Sequence, residues 1–165
     1  MRKYFLLSTV ALMMATNANA TAVGGSFSAT AELIEATTIS CSQNLNFGTI
    51  VFTEHYNSGE GGGYAMITPD GETKISNDVV SMTGATPALC SADEDFGDSA
   101  QIVIHGGDDS SYQLKLTDTT TNKTTCASVS YKIQGSDIYF GGAIDGACGM
   151  YAGTYTGTVT FSVIY

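Results

Sequence analysis

The last eleven residues of the chain place apolar side chains at almost every second position. The intervening positions carry hydroxyl groups, at Thr156, Thr158, Thr160 and Ser162. A period of two is the spacing of side chains on one face of a β-strand, so this segment is predicted to be a strand with one buried face. No window of a dozen residues elsewhere shows apolar residues at helical spacing between helix caps. The sequence therefore predicts an all-β protein.

The same pattern predicts many short strands earlier in the chain. These are residues 27–33, 45–52, 64–68, 72–76, 79–82, 101–105, 112–117, 128–134 and 138–141. Pro69, Asp70 and Gly71 form a turn signal between two of them, because proline presets φ and glycine tolerates positive φ. Many short strands without intervening helices are typical of a Greek-key β-sandwich.

The N-terminus predicts export. Arg2 and Lys3 precede an apolar run that ends in the small-residue pattern Ala18-Asn19-Ala20, which is typical of a secretory signal peptide. The apolar run is too short to cross a bilayer, so no membrane insertion is expected. We predict a signal peptide at 1–20, an N-terminal strand or donor segment at 21–36 and a β-sandwich domain at 37–165. The protein would pass through the periplasm to the cell surface or medium.

The charge of the mature chain argues against nucleic acid as a partner. Four lysines against sixteen acidic residues give −12, and no arginine remains after residue 20. The lysines are scattered singly at Lys74, Lys115, Lys123 and Lys132, whereas phosphate binding requires clustered cations. The acidic balance is interpreted as serving solubility.

Four cysteines in an exported chain indicate two disulfides. Three pairings are possible, and we favour Cys41 with Cys90 and Cys126 with Cys148, because the second pair closes a short local loop. Zinc is the alternative, but the chain has no Cys-x-x-Cys spacing.

Residue types suited to catalysis are sparse. His105 ends an apolar strand and His55 lies in a polar loop, and neither has a nucleophile pattern beside it. The acidic run Asp93-Glu94-Asp95 with Asp98, and the pair Asp108 and Asp109, could offer oxygen ligands to calcium, but their spacing is not that of an EF-hand loop. The sequence therefore predicts no enzyme activity and no cofactor.

Three motifs carry a family resemblance. They are Leu45-Asn46-Phe47-Gly48-Thr49-Ile50, the hairpin Ile67 to Gly71, and the ending Ala152 to Thr160. Together they resemble a family of secreted bacterial pilin-like domains of unknown function, which is related in pattern to spore coat protein U. That group is similar in turn to the subunits of archaic chaperone-usher pili.

The resemblance implies an immunoglobulin-like sandwich that lacks an edge strand and is completed by a strand from a neighbour. By position, the donor strand would present Phe27, Ala29, Ala31 and Leu33. The acceptor would be the C-terminal strand, with Tyr155, Val159, Phe161, Val163 and Tyr165. The groove would be filled by a periplasmic chaperone, by the next subunit of a homo- or hetero-polymer, or by the protein's own N-terminal segment.

Three functions follow as hypotheses. The first is a non-catalytic structural subunit of a surface fibre, pilus or coat. The second is a stand-alone adhesin or binding module with a complete sandwich, using loops such as 57–63 and 93–98. The third is an outer-membrane β-barrel, suggested by the terminal aromatic residue, although several predicted strands are shorter than a membrane strand requires.

Overall fold

The fold is seen in a computed structural model that describes residues 28, 38–53, 63–76, 78–106 and 113–164. The chain divides into two compact units, Met1–Glu35 and Ala36–Tyr165. All the strands given below belong to the second unit. Three of the sequence predictions fall outside the described residues. They are the signal peptide, the donor residues Phe27, Ala29, Ala31 and Leu33, and the loop histidine His55.

Twelve antiparallel strands and one 3-10 turn account for the regular structure of the described residues, which include no α-helix. The strands are β1 (Ile39–Gln43), β2 (Thr49–Phe52), β3 (Tyr64–Ile67), β4 (Thr73–Ile75), β5 (Val79–Thr83), β6 (Ala88–Ala92), β7 (Gln101–His105), β8 (Leu114–Asp118), β9 (Thr124–Gln134), β10 (Asp137–Asp145), β11 (Tyr155–Thr156) and β12 (Thr160–Ile164). The 3-10 turn is Gly146–Cys148.

One large sheet forms the first layer, with the strand order β1-β6-β10-β9-β8-β11. The longest pairing joins β9 and β10 from Asp137 opposite Gln134 to Asp145 opposite Cys126. On its other side β10 pairs first with β6 and then with β3, which continues into β4. Two further pairs, β2 with β5 and β7 with β12, form the second layer. The all-β, sandwich-like fold predicted from the period of two is confirmed.

The core lies between these layers. Ile67 and Ile138 are completely buried, and the Phe140 ring on β10 packs against the Phe161 ring on β12 in a tilted arrangement, with centroids 4.7 Å apart. This contact joins the two layers through one side chain from each. Phe96 is also buried, so the acidic loop that contains it is anchored in the core.

The hairpin predicted around Pro69 is confirmed, because β3 and β4 pair on either side of it. The Gly71 N–H donates to the Thr68 carbonyl at 2.9 Å, and Gly71 has φ +86°. The Thr68 side chain closes the turn by accepting a hydrogen bond from the Glu72 N–H at 3.0 Å. Turn chemistry that is local in sequence was therefore sufficient to place this element.

The C-terminal segment is two strands rather than the single strand predicted. Tyr155 and Thr156 pair with β8 in the large sheet, whereas Thr160–Ile164 pairs with β7 in the other layer. The chain changes layer at Gly157, where a side chain would collide with the Lys115 carbonyl and with Leu114 and Leu116. The alternation continues through this change because both strands turn the same set of side chains toward the interior.

Two strands, β1 and β6, were not predicted. Each has five residues and a cysteine at its centre, and both lack the β-branched and aromatic run that marks a strand in sequence. They pair directly through Cys41 opposite Cys90. The Cys41–Cys90 disulfide therefore stabilises a pairing of β1 with β6 that the pattern of side chains does not predict.

Candidate strand-acceptor groove

A groove of about 1050 Å³ with an apolar floor lies on the inner face of the large sheet. Its floor is formed by side chains from four neighbouring strands. These are Cys90 on β6, Phe140 and Ile144 on β10, Val129 on β9, and Leu114 and Leu116 on β8. All six are buried.

The floor runs diagonally across the sheet. Cys90 is opposite Ile138 near the start of β10, whereas Leu116 is opposite Thr125, beyond the far end of β10. At ~3.3 Å per residue and ~4.8 Å per strand, the diagonal is about 30 Å long and inclined by roughly 30° to β10. Strands of two aligned, packed sheets cross at roughly this angle. The groove therefore occupies the position of a strand in the second layer.

The walls of the groove carry apolar side chains that are only half buried. One wall is built by β2 and the residues before it, and the other by β11, β12 and the residues between them. The half-buried residues are Leu45, Phe47, Ile50 and Phe52 on the first wall and Tyr155, Val159 and Phe161 on the second. They pack against the core and still expose apolar surface to the groove, which favours an apolar occupant.

Both walls end in a strand edge with no ladder partner on the groove side. Among the described residues, β2 pairs only with β5 and β12 pairs only with β7. Each edge therefore presents backbone N–H and C=O groups that an extended chain could pair with. Two such edges beside an apolar floor are the features of a site for β-strand addition.

The two edges run in opposite directions along the groove. The Phe47 ring lies against Gly142 near the middle of β10. Phe52 is opposite Val79, whose N–H donates to the Ser76 carbonyl, and Ser76 lies beside the start of β3, which is opposite the end of β10. On the other wall the chain runs the opposite way. Gly157 lies beside Leu114 and Leu116 on β8, and Phe161, four residues later, lies beside Phe140. A strand between them would be parallel to one wall and antiparallel to the other.

Asp118 stabilises the end of the groove where β8 meets β11. The Thr121 hydroxyl donates to its carboxylate at 2.7 Å, and the Thr120 N–H donates at 2.9 Å. These bonds to the ionised form, led by that from Thr121, hold the pKa of Asp118 below its usual range. Opposite Asp118 on β11, burial and then the nearby Asp118 charge raise the pKa of Tyr155.

We expect Asp118→Asn to be less stable than the wild type at pH 7 and to lose that disadvantage in acid. Because the pKa of Asp118 is lower in the folded than in the unfolded state, its contribution is present above about pH 4 and is lost as the pH falls through the folded value. Urea unfolding between pH 2 and pH 7 measures this. Asp98→Asn, at an exposed position, is the control. A stability gap that stays constant across this range would contradict the assignment.

The disulfides Cys41–Cys90 and Cys126–Cys148 are both formed, in the pairing that the sequence favours. Cys41 and Cys90 line one end of the groove. Cys148 ties the 3-10 turn to β9 near the other end. Two disulfides indicate an oxidising location outside the cytoplasm.

The predicted acceptor residues are divided between two strands and the turn that joins them. Tyr155 is on β11, Phe161 and Val163 are on β12, and Val159 lies just before β12; Tyr165 is outside the described residues. Their role as acceptor stays a prediction. The sequence did not predict the opposite wall, from Leu45 to Phe52. The sequence does mark this wall: the apolar residues fall at odd positions before Gly48, at Leu45 and Phe47, and at even positions after it, at Ile50 and Phe52.

The other candidate residues do not form a site in the described part of the chain. His105 is exposed and its Nε2 lies 2.8 Å from the Ser162 hydroxyl on the neighbouring strand. In the loop that contains Asp93 and Glu94, the Asp95 carboxylate accepts from the Gly97 N–H at 2.8 Å. The described residues contain no group of three or more His, Cys, Asp or Glu side chains that could hold a metal. Asp108, Asp109 and residues 57–62 lie outside the described residues.

Comparison with known families assigns the domain. A family model described as a domain of unknown function, DUF4402, matches residues 37–165. The chain belongs to the DUF4402 family. Searches of curated proteins and of solved structures give no match. The groove, both disulfides and all twelve strands thus lie within the DUF4402 domain.

The described part of this DUF4402 protein contains no helix that is long and apolar enough to span a bilayer.

Proposed function

We propose that this protein is a structural subunit of a bacterial surface fibre, pilus or coat that assembles by β-strand complementation. The observation that carries the proposal is the groove bounded by β2 and β12, whose groove-side edges have no partner among the described residues. An added strand would gain main-chain hydrogen bonds from the edges and bury alternate side chains on the floor.

Physical reasons require such a groove to be filled. Unpaired edges next to exposed apolar side chains promote pairing with other chains, and natural proteins cover or shorten them. Here the edges flank at least seven half-buried apolar residues rather than charged or proline-rich positions that would block pairing. The groove is therefore better suited to a specific strand than to remaining open.

The N-terminal segment has the pattern and length of the occupant. Phe27, Ala29, Ala31 and Leu33 alternate with polar residues over about 20 Å of extended chain, and the flanking residues of the segment at 21–36 supply the remainder of the roughly 30 Å floor. We propose that the segment comes from a second copy of the chain, after export guided by the signal sequence at 1–20 and protection by a periplasmic chaperone. The motif resemblance to pilus subunits supports the same assignment.

Substitution on the apolar face of the segment tests this proposal. We expect Ala31→Asp to abolish assembly of the mature chain, because a carboxylate would be buried without a partner on an apolar floor. Thr30→Asp is the matched control, since it places the same charge on the opposite face and should leave assembly intact. Light scattering and analytical ultracentrifugation of the purified chains measure the distribution of sizes. A synthetic peptide of residues 21–37 should cap growth of the wild type.

Two results would contradict the proposal. If Ala31→Asp and Thr30→Asp assemble equally well, the alternation of the segment has no part in assembly. If the wild type stays monomeric at every concentration and Ala31→Asp only destabilises it, the segment completes its own domain and the protein is a self-contained module.

A further inference from the structure

The connection between β10 and β11 crosses one end of the groove. Cys148, the last residue of the 3-10 turn, is bonded to Cys126 on β9. The ammonium of Lys123, just before β9, lies 4.3 Å from the centre of the Tyr151 ring. Gly153 then lies against the Asp118 carboxylate at the end of β8, so closely that a side chain there would come within 2.5 Å of it. We call residues 149–154 the cross-connection. Residues 150–154 of the cross-connection line the groove.

These contacts fix the cross-connection in place. A disulfide holds Cys148, just before the cross-connection, and within it Tyr151 contacts Lys123 and Gly153 lies close to Asp118. The exposed faces of Lys123 and Tyr151 therefore form a fixed surface at the rim of the groove. Surfaces that are already ordered lose little entropy when a partner binds.

The chain enters the domain at the opposite end of the groove. β1 begins at Ile39, which is opposite Ala92, and Ala92 lies one position beyond the start of the β6–β10 pairing at Asp137. β1 therefore begins at the end of the groove where Cys41 and Cys90 lie. In a head-to-tail row of copies, this end of one copy faces the cross-connection of the next.

Charge complementarity points to the same contact. The N-terminal segment carries Glu32 and Glu35 at the end nearest its own domain. Of the four lysines in the mature chain, Lys123 lies over Tyr151 of the cross-connection at the rim of the groove. Lys115 is exposed on the face of β8 opposite Leu114 and Leu116, Lys132 pairs with Asp70, and Lys74 lies on β4. An acidic end of the segment would meet an ammonium group there.

Resting on the proposed function, we infer that the cross-connection is the docking surface for the acidic end of the N-terminal segment of a second copy, with Lys123 facing Glu32 and Glu35. The segment would then lie antiparallel to β12, with Leu33 near Leu116 and Phe27 toward Cys90. The contact supplies direction and register, while the apolar floor supplies most of the affinity.

The test measures binding of a fluorescent peptide of residues 21–37 to the mature chain at several salt concentrations. We expect Lys123→Glu to weaken binding by about 3- to 10-fold at low salt, and we expect the loss to shrink as salt screens the charges. A peptide carrying Glu32→Lys and Glu35→Lys should bind the Lys123→Glu chain better than it binds the wild-type chain. Lys74→Glu, which makes the same change of net charge away from the groove, is the control. Lys123→Met, which removes the charge without reversing it, should give an intermediate loss.

The outcomes separate this inference from the proposed function. Equal binding of the peptide to Lys123→Glu and to the wild type would overturn the docking surface and leave strand complementation standing. An equal loss in Lys74→Glu would also overturn it, because the effect would then be one of net charge. A peptide that binds no variant would overturn both proposals. The three substitutions Lys123→Glu, Glu32→Lys and Glu35→Lys can also be combined in one chain. If that chain is monomeric and regains the stability that Lys123→Glu alone loses, the occupant is the protein's own segment and the assignment to a second copy is wrong.

Discussion

Replacing Cys41 and Cys90 together by serine is expected to lower the free energy of unfolding by about 4 kcal/mol. The two cysteines are 49 residues apart, so their bond removes much of the entropy of the unfolded chain. The effect should be large because β1 is an edge strand that pairs only with β6 among the described strands. Urea unfolding of the oxidised proteins, followed by circular dichroism, measures the change.

The second disulfide provides the comparison. Cys126 and Cys148 are 22 residues apart, and their joint replacement should cost about 3 kcal/mol. Loss of this bond should leave β1 in place, since it links β9 to the 3-10 turn at the other end of the groove. A smaller loss for the Cys41 and Cys90 pair than for this pair would show that β1 is held mainly by other contacts.

Phe140→Ala is expected to lower the free energy of unfolding by about 3 to 5 kcal/mol. The Phe140 side chain is 4 % exposed, forms part of the groove floor and packs against the Phe161 ring. Its removal would leave a cavity between the layers and would loosen β12, which pairs with β7 alone among the described strands. Thermal and urea unfolding measure the loss, and hydrogen exchange at Thr160–Ile164 should rise more than exchange at β9.

Tyr131→Ala is the control for this substitution. Tyr131 is opposite Phe140 on β9 but is 42 % exposed, so its truncation should cost less than about 1 kcal/mol. If the two variants lose similar stability, the contact between Phe140 and Phe161 is not a principal link between the layers.

Local features of the sequence predicted much of the fold. The period of two identified most strands, and Pro69 to Gly71 located the β3–β4 hairpin, because a turn is determined by a few adjacent residues. The short strands β1 and β6 were missed because their centres are small residues and cysteine, which give no strand signal. The division of the C-terminal segment was missed because the apolar alternation does not reveal which strand each half pairs with.

The groove could be predicted only in part. The alternation from Tyr155 to Val163 indicated one wall, but the other wall lies near Phe47, more than a hundred residues earlier in the chain. Whether two edges face each other depends on the pairing of β2 with β5 and of β12 with β7, which are contacts between distant segments. The cross-connection was not predicted. Gly153 belongs to the Ala152 to Thr160 motif, but its approach to Asp118, the contact of Tyr151 with Lys123 and the bond from Cys148 to Cys126 join segments that are distant in sequence.

The opposed directions of β2 and β12 have a consequence for how a polymer of this protein could acquire polarity. A guest inserted either way round would form one parallel and one antiparallel ladder, so turning it end for end exchanges the two ladders and changes the count of main-chain bonds little. Backbone pairing thus holds an inserted strand in the groove but does not select its direction. The preference for one direction of the inserted strand must therefore come from side chains. In a fibre that always grows from the same tip, a few side chains at the end of each subunit's groove would determine that tip.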